Sequence, residues 1–328
     1  MPKGTEREII LKDVLCAIDL SSCSVAAFSR AMELASLYGA HLDVLHVLDA
    51  AAGATAILES RRDDLLGHLR QMVDGRADRQ LSVNATVAHG EPSSEILLHA
   101  RRQRSDLLVI GSCSSRRPRP FALVGHTARA LIAGARCPVL VVPEAPATAR
   151  GNAPTTVRHI VCAVSSGASR GTLKQAVSLA LKFGARLTIV HVLLGPDDNR
   201  SKADSAVQEL RREIPDGVRG SCRIDELVVY GAVADEIIEI TRVLCADVLV
   251  LGFRQDFLSE NTRDAIVSSV VSDVACDVLV VPVTATRVMA RGDLGASPDE
   301  LRDIVDQASY ESFPASDPPP WTLGIHSH

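Results

Sequence analysis

The sequence carries one long pattern twice, and this repetition constrains the fold more than any other feature. Residues 106–143 read DLLVIGSCSSRRPRPFALVGHTARALIAGARCPVLVVP, and residues 247–282 read DVLVLGFRQDFLSENTRDAIVSSVVSDVACDVLVVP. Both stretches run through an apolar segment, a glycine, a polar loop, a helical pattern, a cysteine and the ending VLVVP. A repeat of this length indicates two copies of one domain and not a short-period solenoid.

Each copy of the pattern predicts a strand, a loop, a helix and a second strand. Asp106–Ile110 is too short for a helix and is rich in Leu, Val and Ile, so it is typical of a buried strand. After Gly111 and a basic loop, apolar residues between 128 and 135 recur at helical spacing. Cys137–Val142 predicts another buried strand. This order is a βαβ unit of a parallel sheet, in which ligands bind at the carboxyl ends of the strands.

Other strands and helices precede this unit. We expect strands at Val14–Asp19, His41–Leu48 and Leu81–Ala88, and helices beginning after Ser21 or Ser22, spanning about 54–78, and running from Pro92 to residue 104. Together these elements predict a doubly wound α/β domain. The second copy begins at His159, where HIVCAVSSG parallels DVLCAIDLS.

We expect four segments along the chain. The first domain spans residues 1–143, and a linker rich in Ala, Pro, Thr and Gly spans residues 144–157. The second domain spans residues 158–283. The tail, residues 284–328, is expected to hold a short helix near 298–308, followed by a proline-rich spacer.

Charge and composition argue against several classes of partner. The formal net charge is -5, whereas non-specific binding to nucleic acid needs a basic face. No segment approaches the roughly 18 apolar residues of a membrane helix, and the charged N-terminus predicts no signal peptide. The eight cysteines are scattered along the chain, which predicts reduced thiols and not a disulfide framework. We therefore expect a soluble cytoplasmic protein that binds neither nucleic acid nor membrane.

The order of these motifs resembles the universal stress protein (UspA) family in a tandem two-domain form. The motifs are VLCAIDLS, LHVLD, GEPSSEIL, and VIGS followed by GHTARALIAGARCPVLVVP, with counterparts in the second copy. The resemblance implies two Rossmann-like domains of the adenine nucleotide alpha hydrolase-like type, each a five-stranded parallel sheet of order 3-2-1-4-5. It also implies that the domains pair through their last strands, which would otherwise expose an edge of Leu and Val. Homodimerisation of the whole chain stays open.

Some members of this family bind ATP, and the resemblance implies an ATP or AMP site, with Mg²⁺, in the first domain only. Asp19 matches the residue that faces the ribose or a metal ion, and Val47 matches the residue whose backbone meets the adenine. The remaining site residues, from Gly111 to Thr127, stand at the positions of the family's phosphate-binding loop. The expected site residues are Asp19, Val47, Gly111, Ser114, Gly125, His126 and Thr127.

Two departures weaken the first site. Ser114 replaces a glycine of the family pattern, and His126 replaces the Ser or Thr that donates to phosphate, although Thr127 is adjacent. Arginines at 116, 117 and 119 can supply affinity for phosphate through charge.

The second domain departs further. Ser165 replaces the aspartate, Gln255 replaces the second loop glycine, and Asp264-Ala265 replaces the Gly-Ser pair. Because an aspartate at the phosphate position repels the ligand, we predict that this copy binds no triphosphate.

Two thiols allow a different chemistry at the first mouth. Cys23 follows the first strand and Cys113 follows the fourth, and these strands are neighbours in the implied sheet. A redox pair, or a zinc site completed by His126, is the alternative to two small side chains without a role. No CxxC spacing supports the zinc site.

Three functions are compatible with these observations. The first is a non-enzymatic stress-response factor with a weakened nucleotide site in the first domain. The second is a nucleotide-free structural or interaction protein that uses its domain surfaces and its tail. The third is a slow ATPase, which ranks last because the sequence carries no P-loop, no GxSxG motif and no obvious catalytic base.

Overall fold

The computed structural model describes residues 11–48, 64, 67, 71, 81–112, 125–143, 157–165, 170–195, 200–214, 222–254 and 263–283. All of these residues belong to one compact unit, residues 1–285. Most of the helix predicted at 54–78, the linker up to residue 156, and the tail with its helix near 298–308 lie outside the described residues.

The first half alternates strands and helices as the sequence predicts. Its elements are β1 (Asp13–Ala17), α1 (Ser22–Tyr38), β2 (His41–Leu48), β3 (Val83–His89), α2 (Pro92–Gln103), β4 (Leu107–Gly111), α3 (His126–Gly134) and β5 (Val139–Val142). The first strand ends at Ala17 and not at Asp19, because the chain turns at Leu20, whose φ is 64°. Asp19 therefore lies in a turn and not in the strand.

The second half repeats this order. Its elements are β6 (His159–Val164), α4 (Arg170–Phe183), β7 (Arg186–Leu193), α5 (Arg200–Glu213), β8 (Ile224–Tyr230), α6 (Val233–Val243), β9 (Val248–Arg254), α7 (Arg263–Asp273) and β10 (Asp277–Val283).

All ten strands form one sheet in the order β3-β2-β1-β4-β5-β10-β9-β6-β7-β8. Each half contributes a parallel sheet of order 3-2-1-4-5, which confirms the expected fold. The halves meet where β5 pairs with β10, and this pairing is antiparallel. The predicted contact through the last strands is therefore present within the chain.

An apolar layer covers each face of the sheet and continues through both halves. One layer includes Phe28 of α1 and Leu173 of α4, and the other includes Leu131 of α3 and Val270 of α7. Because helices cover both faces, the central strands are apolar on both sides, as parallel sheets require.

The same polar contacts fix the first strand of each half. The Asp106 carboxylate accepts from the backbone N–H of Lys12 at 2.7 Å, and Asp247 accepts from that of Arg158 at 2.7 Å. At the other end, Nδ1 of His46 lies 2.8 Å from the carbonyl oxygen of Ile18, and Nδ1 of His191 lies 2.9 Å from that of Val164. These histidines hold neighbouring strands together.

The β5–β10 junction gives a direct test of this architecture. Val141 is 1% exposed and pairs with Val278. The substitution Val141→Asp buries a carboxylate without a cation, so we expect the free energy of unfolding to fall by about 3 kcal/mol or more. Thermal unfolding and size-exclusion chromatography would measure the lost stability and any separation or aggregation. The matched control is Val243→Asp on α6, because Val243 is 62% exposed and its variant should change stability little. Equal melting temperatures for the two variants would contradict the pairing.

Candidate functional site

The predicted site residues of the first half gather at the carboxyl edge of the sheet. β1 pairs in parallel with both β2 and β4, so the residues that follow these strands share one edge. The connection from β4 to β5 crosses the sheet through α3, which places the first residues of α3 at that same edge. Asp19, Val47, Gly111 and the Gly125–Thr127 segment therefore surround one mouth. Ser114 and the arginines at 116, 117 and 119 lie outside the described residues.

Asp19 is exposed at this mouth and shapes the turn that leads into α1. Its Oδ1 accepts from the backbone N–H of Ser21 at 3.0 Å and from Ser21 Oγ at 2.5 Å. Ser21 is in turn the N-cap of α1, and its Oγ accepts from the N–H of Ser24 at 3.3 Å. The carboxylate thus has a structural role and also faces solvent, where a ligand can reach it.

Gly111 is required at the end of β4 because α1 approaches it closely. A Cβ on Gly111 would lie 2.9 Å from the carbonyl carbon of Cys23 and 3.1 Å from the Cβ of Cys23. Such distances are not tolerated between these atoms, so a larger residue would push the start of α1 away from the strand. The glycine therefore keeps the two sides of the mouth in contact.

Cys23 corrects one of our expectations. Its side chain is fully buried and disulfide-bonded, whereas the sequence predicts reduced thiols. Cys113, the other thiol predicted at this mouth, lies outside the described residues. The six other cysteines, which are free as expected, are Cys16, Cys137, Cys162, Cys222, Cys245 and Cys276. Burial raises the pKa of Cys137 to about 11 and that of Cys276 to about 12, so neither is a reactive thiolate at neutral pH.

Val47 closes the adjacent side of the mouth. It lies near the end of β2, opposite Ala88 of β3, and its side chain packs against the apolar layer that contains α2 and α3. The neighbouring His46 holds the end of β2 against β1. The position of the Val47 backbone is therefore fixed by both neighbouring strands.

Among the residues that the structure describes, no side chain caps the start of α3. Gly125 is its N-cap residue and makes no side-chain hydrogen bond, and the first turn contains no acidic residue. His126 is exposed and Thr127 is partly buried. Backbone amides at the positive end of a helix dipole suit an anion, so the start of this nine-residue helix is compatible with phosphate.

The corresponding mouth of the second half differs in its residues. Ser165 takes the place of Asp19, and Asp264, in the first turn of α7, takes the place of Gly125 in the repeat. A Cβ on Gly252 would lie 2.6 Å from Oγ1 of Thr172 of α4, a buried hydroxyl that has no hydrogen-bond partner among the described residues. Ala27 stands at the equivalent position of α1. Thr172 is larger than Ala27, so its side chain occupies space beside the second mouth that is open beside the first.

One polar residue that follows the outer strand β3 was not predicted as a functional residue from the sequence. Glu91 is the N-cap of α2, and its carboxylate accepts from the N–H of Ser93 at 3.0 Å, from the N–H of Ser94 at 2.7 Å and from Ser93 Oγ at 2.8 Å. Hydrogen bonds from Ser94 and Ser93 lower the pKa of Glu91 to about 2. Glutamate is not a common N-cap residue, but Pro92 at the first helical position indicates the cap. Ala232 occupies this position in the second half and makes no side-chain bond.

Among the described residues, no group of three or more His, Cys, Asp or Glu side chains is arranged to hold a metal ion. No helix within the described ranges is long and apolar enough to cross a membrane.

Comparison with known proteins identifies the family. The model of the universal stress protein family matches residues 11–143 and 156–282, which are most of the chain. The chain therefore belongs to the universal stress protein family, and it contains the family's domain twice.

Individual relatives agree with this assignment. Universal stress protein YxiE of Bacillus subtilis is 30% identical over 146 residues, which cover 39% of this chain and 97% of that protein. Universal stress protein A homolog 1 of Coxiella burnetii is 31% identical over 144 residues, which cover 40% of this chain and 95% of that protein. Each of these relatives matches a length close to one half of this chain.

Solved structures share the fold of both halves. A universal stress protein from Archaeoglobus fulgidus superposes with a TM-score of 0.64 at 17% identity, over 83% of this chain and 96% of that one. The cytoplasmic domain of a prokaryotic cation chloride cotransporter gives a TM-score of 0.50 at 13% identity, over 82% of this chain and 95% of that one. At these identities the similarity defines the fold alone.

The Glu91 cap predicts a pH-dependent contribution to stability. Because the folded-state pKa of about 2 lies below the ordinary value of 4.5, the stabilisation is complete above pH 4.5 and is lost as the pH falls toward 2. Glu91→Ala should therefore lower the free energy of unfolding at pH 7 by about 1 kcal/mol or less, because the cap is exposed to solvent. Denaturant unfolding of both proteins between pH 7 and pH 3 would show the difference shrinking. Glu91→Gln keeps an acceptor and should lose less. A difference that stays constant with pH would contradict the role of the charge.

Proposed function

We propose that this protein is a non-enzymatic stress-response factor whose first half binds an adenine nucleotide, ATP or AMP, and whose second half is a structural partner without a triphosphate site. The observation that carries the proposal is the difference between the two mouths. In the first half, an exposed carboxylate and an uncapped helix start share the edge of the sheet. In the second half, Ser165 replaces that carboxylate, and Asp264 adds an acidic residue to the first turn of the equivalent helix.

The first mouth offers a contact for each part of the nucleotide. Asp19 presents a carboxylate to a ribose hydroxyl or to Mg²⁺, and the backbone at Val47 meets the adenine. Gly111 keeps the floor of the mouth narrow, and the Gly125–Thr127 amides receive phosphate oxygens. A bound Mg²⁺ would neutralise part of the phosphate charge, and carboxylate oxygens are ligands that suit it.

A nucleotide-free interaction protein is the second candidate. The observation that favours it is the contact between Asp19 and Ser21, because a carboxylate that only supports a turn would make the same two hydrogen bonds. A slow ATPase is the third candidate, and release of inorganic phosphate from ATP by the full chain would distinguish it from a protein that only binds.

Calorimetric titration of the full chain with ATP and Mg²⁺ tests the proposal. We expect one site per chain, with the dissociation constant raised about 10-fold or more in Asp19→Ala, a loss of about 1.4 kcal/mol. Ser165→Ala is the matched control in the second half and should leave binding unchanged. Because Asp19 also supports a turn, thermal unfolding of both variants must show that the fold is retained. An absence of binding heat in the unaltered chain, with no nucleotide co-purifying, would refute the nucleotide site and favour the interaction protein.

Gly125→Asp tests the phosphate position separately from the fold. A Cβ at Gly125 meets no atom of the described residues within 4 Å, and its φ of -57° suits any residue. Aspartate is a good N-cap residue, so the variant should be as stable as the unaltered chain or more stable. Its negative charge should nevertheless weaken ATP strongly and AMP less, because ATP carries more phosphate charge. Unfolding curves and titrations with both nucleotides would measure the two effects. Unchanged ATP affinity would place the phosphates elsewhere.

A further inference from the structure

The contact between the two halves contains a small cavity that is nearly symmetric. Seven residues from each half line it, and each residue of one half has its repeat equivalent in the other. Most of these pairs are apolar in both halves, such as Leu34 with Leu179. Two pairs differ in charge, because Arg30 corresponds to Gln175 and Asp277 corresponds to Pro138. The charges of the interface are therefore asymmetric where its shape is symmetric.

The strands at the centre of this contact do not distinguish one half from the other. Residues 139–142 and 278–281 both read VLVV. Leu140 pairs with Leu279, its own repeat equivalent, so the pseudo-twofold axis passes between these two residues. An antiparallel pair of two β5 strands, or of two β10 strands, would form the same backbone hydrogen bonds. The choice of partner must come from the residues that flank the strands.

The flanking residues include an ion pair that joins the halves. Nε of Arg30 lies 2.5 Å from Oδ2 of Asp277, and the two side chains are 10% and 8% exposed. Arg30 also bonds to Glu33 on its own helix, at 2.6 Å. Across the axis, the equivalent positions hold Gln175, which has no charge, and Pro138, whose side chain cannot accept a hydrogen bond. The ion pair therefore exists on one side of the axis only.

Each partner of this pair depends on the other. Burial raises the pKa of Asp277, and the positive charge of Arg30 offsets this only in part. Burial also opposes the charge of Arg30, but the attraction of Asp277 and Glu33 outweighs it and raises the pKa of the guanidinium. A buried ion pair of this kind adds little net stability, whereas loss of one partner is strongly destabilising.

A second contact across the axis is also present on one side only. Nζ of Lys182 lies 5.0 Å from the ring centroid of Tyr38, which is a cation–π contact between α4 and α1. The repeat equivalent of Lys182 is Leu37, which carries no charge, and that of Tyr38 is Phe183, another aromatic residue. The contact is therefore formed on one side of the axis only, and two paired first halves could not form it because each would offer Leu37 in place of a cation.

We propose that the Arg30–Asp277 pair makes the central contact selective, so that the first half accepts a second half of this sequence and rejects another first half. Pairing two first halves would bury two arginines opposite prolines. Pairing two second halves would bury two aspartates opposite glutamines. Either arrangement keeps the strand pairing and loses the charge match, which is how a symmetric interface discriminates between similar partners.

Two single variants of the full chain test this selectivity when they are mixed. Arg30→Asp and Asp277→Arg each place like charges across the contact within one chain. We expect each variant alone to unfold about 5–15 °C below the unaltered chain. In a dimer that exchanges halves between the two variants, both contacts again join opposite charges. Joint unfolding and refolding should therefore give a 1:1 heterodimer, detected by native mass spectrometry.

The control places both substitutions in one chain. Arg30→Asp with Asp277→Arg keeps the summed length of the two side chains, so its unfolding temperature should recover most of the loss without dimer formation. Unchanged unfolding temperatures in the single variants would overturn the proposal. It would also be overturned by a mixture that stays monomeric, or by homodimers of either single variant that join like halves. The mixing experiment is informative even if each single variant folds poorly alone, because the two variants are refolded together and the heterodimer is what is measured.

Discussion

The structure depends on covering the strand edge that each half would otherwise expose. The last strand of each half is a short run of Val and Leu with free backbone groups along one side, which is a template for aggregation. Pairing β5 with β10 satisfies these groups and merges two five-stranded sheets into one sheet of ten. The apolar layers on both faces then continue across the junction. The duplication thus supplies within one chain the partner that a single domain would need.

The sequence predicted the parts of this fold that arise from local patterns. Alternation of short apolar runs with helical spacing gave the strands, and the repeat together with the family resemblance gave the sheet order and the pairing. The turn at Leu20 was missed because no Gly or Asn marks its positive φ. The Glu91 cap was missed because glutamate is an unusual N-cap. The Arg30–Asp277 contact joins residues 247 positions apart, and no local pattern predicts such a contact.

The candidate site was predicted less completely than the fold, for a physical reason. The positions of Asp19, Val47, Gly111 and Gly125 follow from where strands and helices end, and the structure brings them to one edge. Whether they bind a ligand depends on charge and free hydrogen-bonding groups, which the fold does not determine. Asp19 illustrates the difference, because its two contacts with Ser21 serve the turn with or without a nucleotide. The same geometry would also present the carboxylate to a ribose without further ordering, which favours binding.

The placement of the interface explains how one mouth can change while the pair of halves persists. Asp277 begins β10, and the mouths lie beyond the opposite, carboxyl ends of the strands. What the first half needs from the second is therefore a strand edge and a carboxylate that are distant from the second mouth. The second half has Ser165 where the first half has Asp19, and it has Asp264 at a helix start. Both differences lie at the second mouth and leave the strand edge and the Asp277 carboxylate intact. A duplicated domain joined in this way can lose one ligand site and still complete the sheet on which the other site is built.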